Sequence, residues 1–389
     1  MAEPTLVFVH AMTPPHRGGT AVVVHRLLRT LTGFRVEVFT DRRLREAVRD
    51  GGELVLAARY RYFARLGGPL TAVRALRELF NTLNVLLALG AGARAASSAR
   101  AGGEACVLSV ADGGFSQIAG AVAARLARRP HVIMVFDLWE ENAYSRVERW
   151  LARRLERALF ARADAVVVFC GEAAEHYRRK HGVACRVLAT PIESAEASAD
   201  GGVHDGEVLV AGAIYWAQED AVRRLLRAAA AVPEATVTMV GDESGLRARG
   251  LVADSYEPEL PSTCFRARVG RADVLFLGLA FDSPHPAVIA TATPARLPEY
   301  MASGRPLLIH APAGAHVVEY ARAEGFAEVV DARDDGLLAD ALRRLFNDRD
   351  GAAERAEVAR RLAAERHAVG TVAREFGALL HETLRAGHR

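Results

Sequence analysis

The sequence predicts an α/β protein made of two doubly wound, Rossmann-like domains, each a parallel sheet wrapped by helices, facing a cleft. Three observations carry this prediction: short Val- and Ile-rich runs alternate with helical periods, the alternation breaks near the middle of the chain, and it then resumes. In the first domain, residues 5–10, 35–39, 105–110, 131–136, 165–169 and 185–189 read as strands, several apolar at consecutive positions, as in a sheet covered on both faces. Helical periods fall at 20–31, where Val23, Leu27 and Leu31 recur four apart, and at 114–128 and 146–162. The stretch TPIESAEASADGGVHDGE is small, polar and without usable periodicity, and it reads as a linker over 192–206 between domains 1–191 and 207–370. Beyond it, strands are expected at 207–212, 235–241, 273–278, 306–310 and 327–330, with helices at 217–231, 294–303, 315–325 and 336–347.

Composition narrows the function classes. The chain has 389 residues, 51% hydrophobic and 25% charged, which fits globular domains with sizeable cores. No uninterrupted apolar stretch of about 18 residues occurs, so no membrane-spanning segment is expected. The N-terminal stretch has Glu3 and no basic leader, unlike a signal peptide. Four dispersed cysteines without a C-x-x-C fit neither a zinc site nor a disulfide framework, and point to a reducing cytoplasm. Residues 1–190 carry 28 Lys+Arg against 17 Asp+Glu, a balance of +11, whereas the remainder carries −8, giving the chain's +3. The asymmetry turns the first half toward something anionic, or else reflects an Arg-rich genome, Lys180 being the sole lysine.

Two doubly wound domains bind ligands at the carboxyl ends of their strands. Solute-binding proteins, glycosyltransferases and two-domain dehydrogenases use such a frame. The absence of a leader argues against the first, and no G-x-G-x-x-G follows the first strand, which argues against the last. The loop HAMTPPHRGGT brings His16, Gly18 and Gly19 to a strand-to-helix turn, where glycine lets backbone approach a ligand and a helix N-terminus favours an anion. Asp137 ends a strand in FDLWEEN, placed to bind an acceptor hydroxyl or take its proton; Trp139 beside it reads as packing or as a platform for a sugar ring. In TATPARLPEYMASGRPLLIH, Thr293 reads as an N-cap, Pro294 as the first helical residue and Gly304 as the helix stop. Arg296 and Glu299 then share a face, the guanidinium suited to a diphosphate and the carboxylate to a ribose diol, although an ordinary surface ion pair would look the same.

With these motifs in place, the sequence resembles the glycosyltransferases of family 4, which have the GT-B fold. PARLPEYMASGRPLLI matches the variant donor motif; PPHRGGT, FDLWEE and VLVAGAIYWAQEDAVRRLLRA are similar to the family's first loop, its Asp-x-Trp and the start of its donor domain. The resemblance implies an acceptor-binding first domain and a donor-binding second one, with Gly212, Gln218, Gly241, Thr293, Arg296 and Glu299 at the donor. It implies Arg296 and Asp137 in catalysis, and a helix over 371–389 that crosses back to the first domain. The donor would be a UDP-, GDP- or dTDP-linked sugar, the acceptor a saccharide, a lipid-linked saccharide or a small molecule, and transfer would retain configuration by front-face displacement. Four positions depart from the pattern: Thr291 stands where an acidic residue precedes Glu299 by eight, Ala213 and Gln218 replace two bases, and Phe136 replaces a histidine. A nucleotide-sugar epimerase, a non-catalytic relative or a two-lobed binding protein stays open on those grounds. No cofactor or protein-held metal is expected: His10, His16, His285 and His310 are scattered, and family members balance diphosphate charge with bases and a helix end. No nucleic-acid-reading module accompanies the basic residues. RYRYFARL, followed by an apolar helical stretch, is suited to an anionic membrane surface or to ordinary packing, so peripheral contact with the inner membrane face is a further expectation.

Overall fold

A computed structural model describes residues 3–16, 18–101, 103–193, 206–212, 214–259 and 262–387. Most of the linker expected at 192–206 lies outside the described residues, as does Ala213. The chain divides into two units, Met1–Pro191 with Val369–Arg389, and Ile192–Ala368.

Unit 1 is built on the strands β1 (Thr5–Val9), β2 (Arg35–Asp41), β3 (Arg59–Phe63), β4 (Ala105–Val110), β5 (His131–Met134), β6 (Ala165–Val168) and β7 (Arg186–Val187). Its helices are α1 (Gly19–Thr30), α2 (Arg45–Arg49), α3 (Arg74–Ala101), α4 (Phe115–Ala127), α5 (Arg146–Arg162) and α6 (Gly171–His181). The seven-stranded sheet runs β3-β2-β1-β4-β5-β6-β7, every pairing parallel. β1 and β4 are buried along their whole length, which is why they are apolar at nearly every position. Strand order reverses between them, with Val9 facing Ser109, so the residues that follow open at a topological switch point.

The basic aromatic run forms the edge strand β3. Arg59 and Arg61 turn to Glu37 on β2, at 4.0 and 3.3 Å, and the Tyr60 hydroxyl accepts from Leu56 N–H and donates to the Pro14 carbonyl. Charged side chains on an edge strand also discourage pairing with another chain. α3 packs on α4 through small residues. A Cβ at Gly92 would lie 2.5 Å from the Ala119 carbonyl oxygen, so only glycine permits that approach.

Unit 2 repeats the plan with β8 (Glu207–Ala211), β9 (Thr236–Val240), β10 (Ser255–Glu257), β11 (Val274–Gly278), β12 (Leu307–His310) and β13 (Glu328–Val330). The order β10-β9-β8-β11-β12-β13 is again parallel throughout, and the switch point lies between β8 and β11. Around it run α7 (Glu219–Ala229), α8 (Glu243–Ala248), α9 (Ser262–Val269), α10 (Pro286–Ala290), α11 (Arg296–Ala302), α12 (His316–Glu324), α13 (Asp335–Asn347) and α14 (Arg349–Leu362). The last helix, α15 (Val369–Ala386), belongs to unit 1. It buries Val372, Phe376, Leu380 and Leu384 at four-residue spacing, and the His381 ring lies tilted 4.7 Å from that of Phe34 beyond the end of α1.

One expected helix differs. α11 starts at Arg296 rather than 294, and its N-cap is Ala295, which offers no side-chain cap, so Thr293 is not the capping residue. The first turn closes instead by a tighter bond, Leu297 N–H donating to the Pro294 carbonyl at 2.9 Å. The helix ends at Ala302, and the chain leaves through Gly304 at φ +69°, a conformation that favours glycine.

Candidate functional site

The chemistry-bearing residues gather at the carboxyl edge of each sheet. In unit 2, β8 ends at Ala211, and Tyr300 of α11 clamps that residue on both sides. The Tyr300 hydroxyl donates to the Ala211 carbonyl at 2.9 Å and accepts its N–H at 3.1 Å. Burial pushes the phenol up to about 12, so it stays a neutral, two-way partner. The clamp fixes α11 against the loop that follows. There Gly212 takes φ +116°, and a Cβ on it would come within 3.4 Å of Arg296 Cγ. Arg296 in turn gives one nitrogen to Glu299 Oε2 at 2.7 Å and lays its guanidinium 3.9 Å over the Phe265 ring.

This arrangement leaves a usable polarity. The Arg296 side chain is 40% exposed, while Glu299 is 11% exposed. A guanidinium held from below by a ring and from the side by a carboxylate keeps further N–H groups for an anion. Gly212, Arg296 and Glu299 therefore come together. Gly241 stands one strand over, at the carboxyl end of β9, where its N–H donates to the Glu257 carbonyl. Gln218 opens α7 but folds onto its own turn, its amide oxygen accepting from Tyr215 N–H at 3.4 Å. Thr291 uses its hydroxyl to close α10, donating to the Ala287 carbonyl at 2.9 Å.

In unit 1 the edge is a buried polar cluster. His10 follows β1, and Asp112 and Ser116 follow β4 into the first turn of α4. His10 Nδ1 lies 3.2 Å from Asp112 Oδ2 and 3.4 Å from Ser116 Oγ, while Ser116 N–H donates to Asp112 Oδ1 at 3.2 Å. Burial alone would raise the Asp112 carboxyl, but the His10 and Arg65 charges and the Ser116 bond outweigh it and hold the pKa low. Glu148 lies near the same group: burial, offset in part by the Tyr144 N–H and reinforced by Asp112, pushes its carboxyl up to about 7. Among the described residues, the buried His10 Nε2, Gln117 Nε2 and Trp139 Nε1 have no hydrogen-bond partner.

The Gly-Gly turn starts α1 at Gly19, with Gly18 as N-cap; Gly18 N–H donates to His16 Nδ1 at 3.0 Å. Desolvation first, and His10 second, lower the exposed His16 pKa. Asp137 lies exposed beyond β5, yet desolvation by surrounding protein raises its carboxyl pKa. Its acidic neighbours serve elsewhere: Glu140, Glu141 and Glu156 surround Lys180 at 3.0, 2.8 and 2.8 Å.

The model of a glycosyl transferase 4-like domain matches residues 18–193. Among solved structures, the chain is similar to a sucrose-phosphate synthase from Thermosynechococcus elongatus, at 16% identity over 98% of this chain and 100% of that one, with a TM-score of 0.72. It is also similar to HepE from Anabaena in complex with UDP and glucose, at 15% identity over 97% and 100%, with a TM-score of 0.69. A glycosyltransferase from Rickettsia africae overlaps 99% of each chain at 11% identity, with a TM-score of 0.70. No curated protein matches the sequence. These likenesses establish the GT-B fold over nearly the whole chain.

Within the matched stretch, Trp139 is a packing residue. It is buried with Leu151 and Ala152, and its ring lies where a Cβ on Gly114 would reach it at 3.0 Å. Phe136 stacks on Phe169 at 4.3 Å. Asp112, Ser116 and Glu148 have no counterpart in the sequence reading, Arg65 entered it only within the basic aromatic run, and His10 only as a scattered histidine. The signal that could have found them is the two strand ends: a histidine after β1 and an aspartate after β4 must meet once those strands are neighbours.

Proposed function

We propose that the protein transfers a sugar from a nucleotide-diphosphate sugar to a hydroxyl of a saccharide, lipid-linked or small-molecule acceptor, with retention of configuration. The observation that carries this reading is the Arg296–Glu299 pair beside Gly212 at the switch point of unit 2. The diphosphate would take the outward N–H groups of Arg296, close to a backbone that only glycine lets approach. The ribose diol would donate to the Glu299 carboxylate. Charge on the leaving diphosphate grows toward the transition state, so Arg296 would contribute to rate as well as to binding. The acceptor would enter unit 1 at the carboxyl edge of its sheet, where Asp137 offers an exposed carboxylate. The UDP-bound structure among the similar folds supports starting with UDP-sugars; GDP- and dTDP-sugars complete the donor panel.

Calorimetry with UDP, UDP-glucose and uridine tests the donor assignment. Glu299→Gln should cost about 1.5–3 kcal/mol of affinity for all three, the worth of a charged hydrogen bond. Arg296→Ala should weaken UDP and UDP-glucose but leave uridine nearly unchanged. Wild-type affinity in both variants would remove α11 from the donor site. Mass spectrometry of the products then separates transfer from epimerisation, which returns the nucleotide with its sugar attached.

A further inference from the structure

We propose that unit 1 docks on an anionic lipid bilayer through the outward face of α3 and the arginine-rich face of α5 beside it. This inference stands on the surface itself and does not depend on the transferase reading. It begins with an inversion in α3. A helix flanking a sheet ordinarily turns its large apolar side chains inward. α3 buries Ala88, Ala91, Gly92, Ala95, Ala96 and Ala99, whereas Leu79, Leu83, Leu86 and Leu89 are 50, 38, 64 and 45% exposed. Leu79, Leu83 and Leu86 fall at i, i+4 and i+7, a single stripe. Rotation cannot draw them inside, because the approach of α3 to α4 at Gly92 has no room for a side chain. By length and composition α3 could cross a bilayer, but its packed small face keeps it on the flank of the sheet.

The charge beside this stripe selects its occupant. Glu78 of α3 accepts from Arg146 and Val147 N–H at 2.8 and 2.9 Å, and Asn81 Nδ2 donates to Ser145 Oγ at 2.8 Å, fixing the start of α5 against α3. α5 then exposes Arg146, Arg149, Arg153, Arg154 and Arg157, while its two acids, Glu148 and Glu156, are buried. Trp150 is 57% exposed, with the Arg154 guanidinium 5.8 Å from its ring. Leucines for the acyl boundary, a tryptophan for the headgroup level and arginines for lipid phosphates form one surface. A second copy of the same face would bring two arginine rows together, which opposes self-association.

Co-sedimentation of the whole chain tests this, with phosphatidylcholine vesicles and with vesicles containing roughly one-third phosphatidylglycerol. Binding is expected to the anionic vesicles, weakening as salt rises. Leu83→Glu with Leu86→Glu should weaken it by roughly tenfold or more, and Arg149→Ser with Arg154→Ser by roughly twentyfold. Leu337→Glu, an exposed leucine of unit 2, should leave binding unchanged, and all variants should melt like wild type because the sites are exposed. Wild-type protein that stays in the supernatant at low salt overturns the proposal. So does equal loss in the Leu337→Glu control, or light scattering that shows a dimer dissociated by Leu83→Glu with Leu86→Glu.

Discussion

The two switch points have the same topology and opposite electrostatics. In each unit the order reverses between its first and fourth strands, β1/β4 and β8/β11. Unit 1 fills the position with a carboxylate and an imidazole shut inside, Asp112 and His10, the histidine 1% exposed. Unit 2 closes the same position with the neutral Tyr300 clamp and carries its charges on the outer turn of a short helix. The difference teaches what each can give up. Leaving one partner of a buried polar pair unsatisfied costs up to about 3 kcal/mol, whereas a part-exposed pair exchanges partners with water or ligand for about 1 kcal/mol or less. Unit 2 can turn Arg296 toward a new partner; unit 1 holds its pair as part of the fold.

The largest effect should come from breaking the buried pair. Asp112→Ala should cost about 3 kcal/mol of stability, whereas Glu299→Gln should cost under about 1 kcal/mol, both read by denaturant unfolding. Equal losses would erase the distinction between the two edges.

Much of that distinction was invisible in the sequence, for a physical reason. Arg296 and Glu299 lie three apart on one helix, so spacing alone juxtaposes them. His10 and Ser116 are 106 positions apart and meet only because β1 pairs with β4, a register that no local pattern encodes. The fold itself was legible because strands buried on both faces must be apolar at consecutive positions, as TLVFV and ACVLSV are. β3 was missed because an edge strand needs no such run, and RYRYF reads as a surface segment. Thr293 misled because Thr-Pro is a common cap signature, while the turn here closes on the Pro294 carbonyl instead.

The second test uses pH. With its carboxyl pKa near 7, folded Glu148 keeps a proton that the unfolded chain releases above the ordinary carboxylate range. Its contribution is full below that range and is lost as pH rises through about 7, on the order of 2–3 kcal/mol by pH 8. Glu148→Gln should flatten this decline in denaturant unfolding followed from pH 5 to 8. Parallel wild-type and variant curves would show that unit 1 does not store a protonated carboxyl there.

The smallest effect sharpens the comparison most. Gly114 and Gly212 both take positive φ, +94° and +116°. Changing either to alanine should cost about 1–2 kcal/mol in backbone strain. Only Gly212→Ala should also weaken UDP, by a few-fold, because its Cβ would press on Arg296. Matching UDP affinities in the two variants would detach the glycine from the donor site.

The return of α15 to unit 1 has a consequence for how the chain is made. As synthesis proceeds, β1 to β7 emerge with Phe34 and the end of α1 still lacking the helix that covers them. All of Ile192–Ala368 is translated before that helix exists. The second unit, contiguous in sequence, can fold while the first waits for Phe376, Leu380 and His381 to arrive. A ribosome that stalls after Ala368 therefore releases a finished unit 2 beside an uncovered unit 1, with apolar surface open to chaperones and proteases. Unit 1 is thus completed only after the whole of unit 2 has been made.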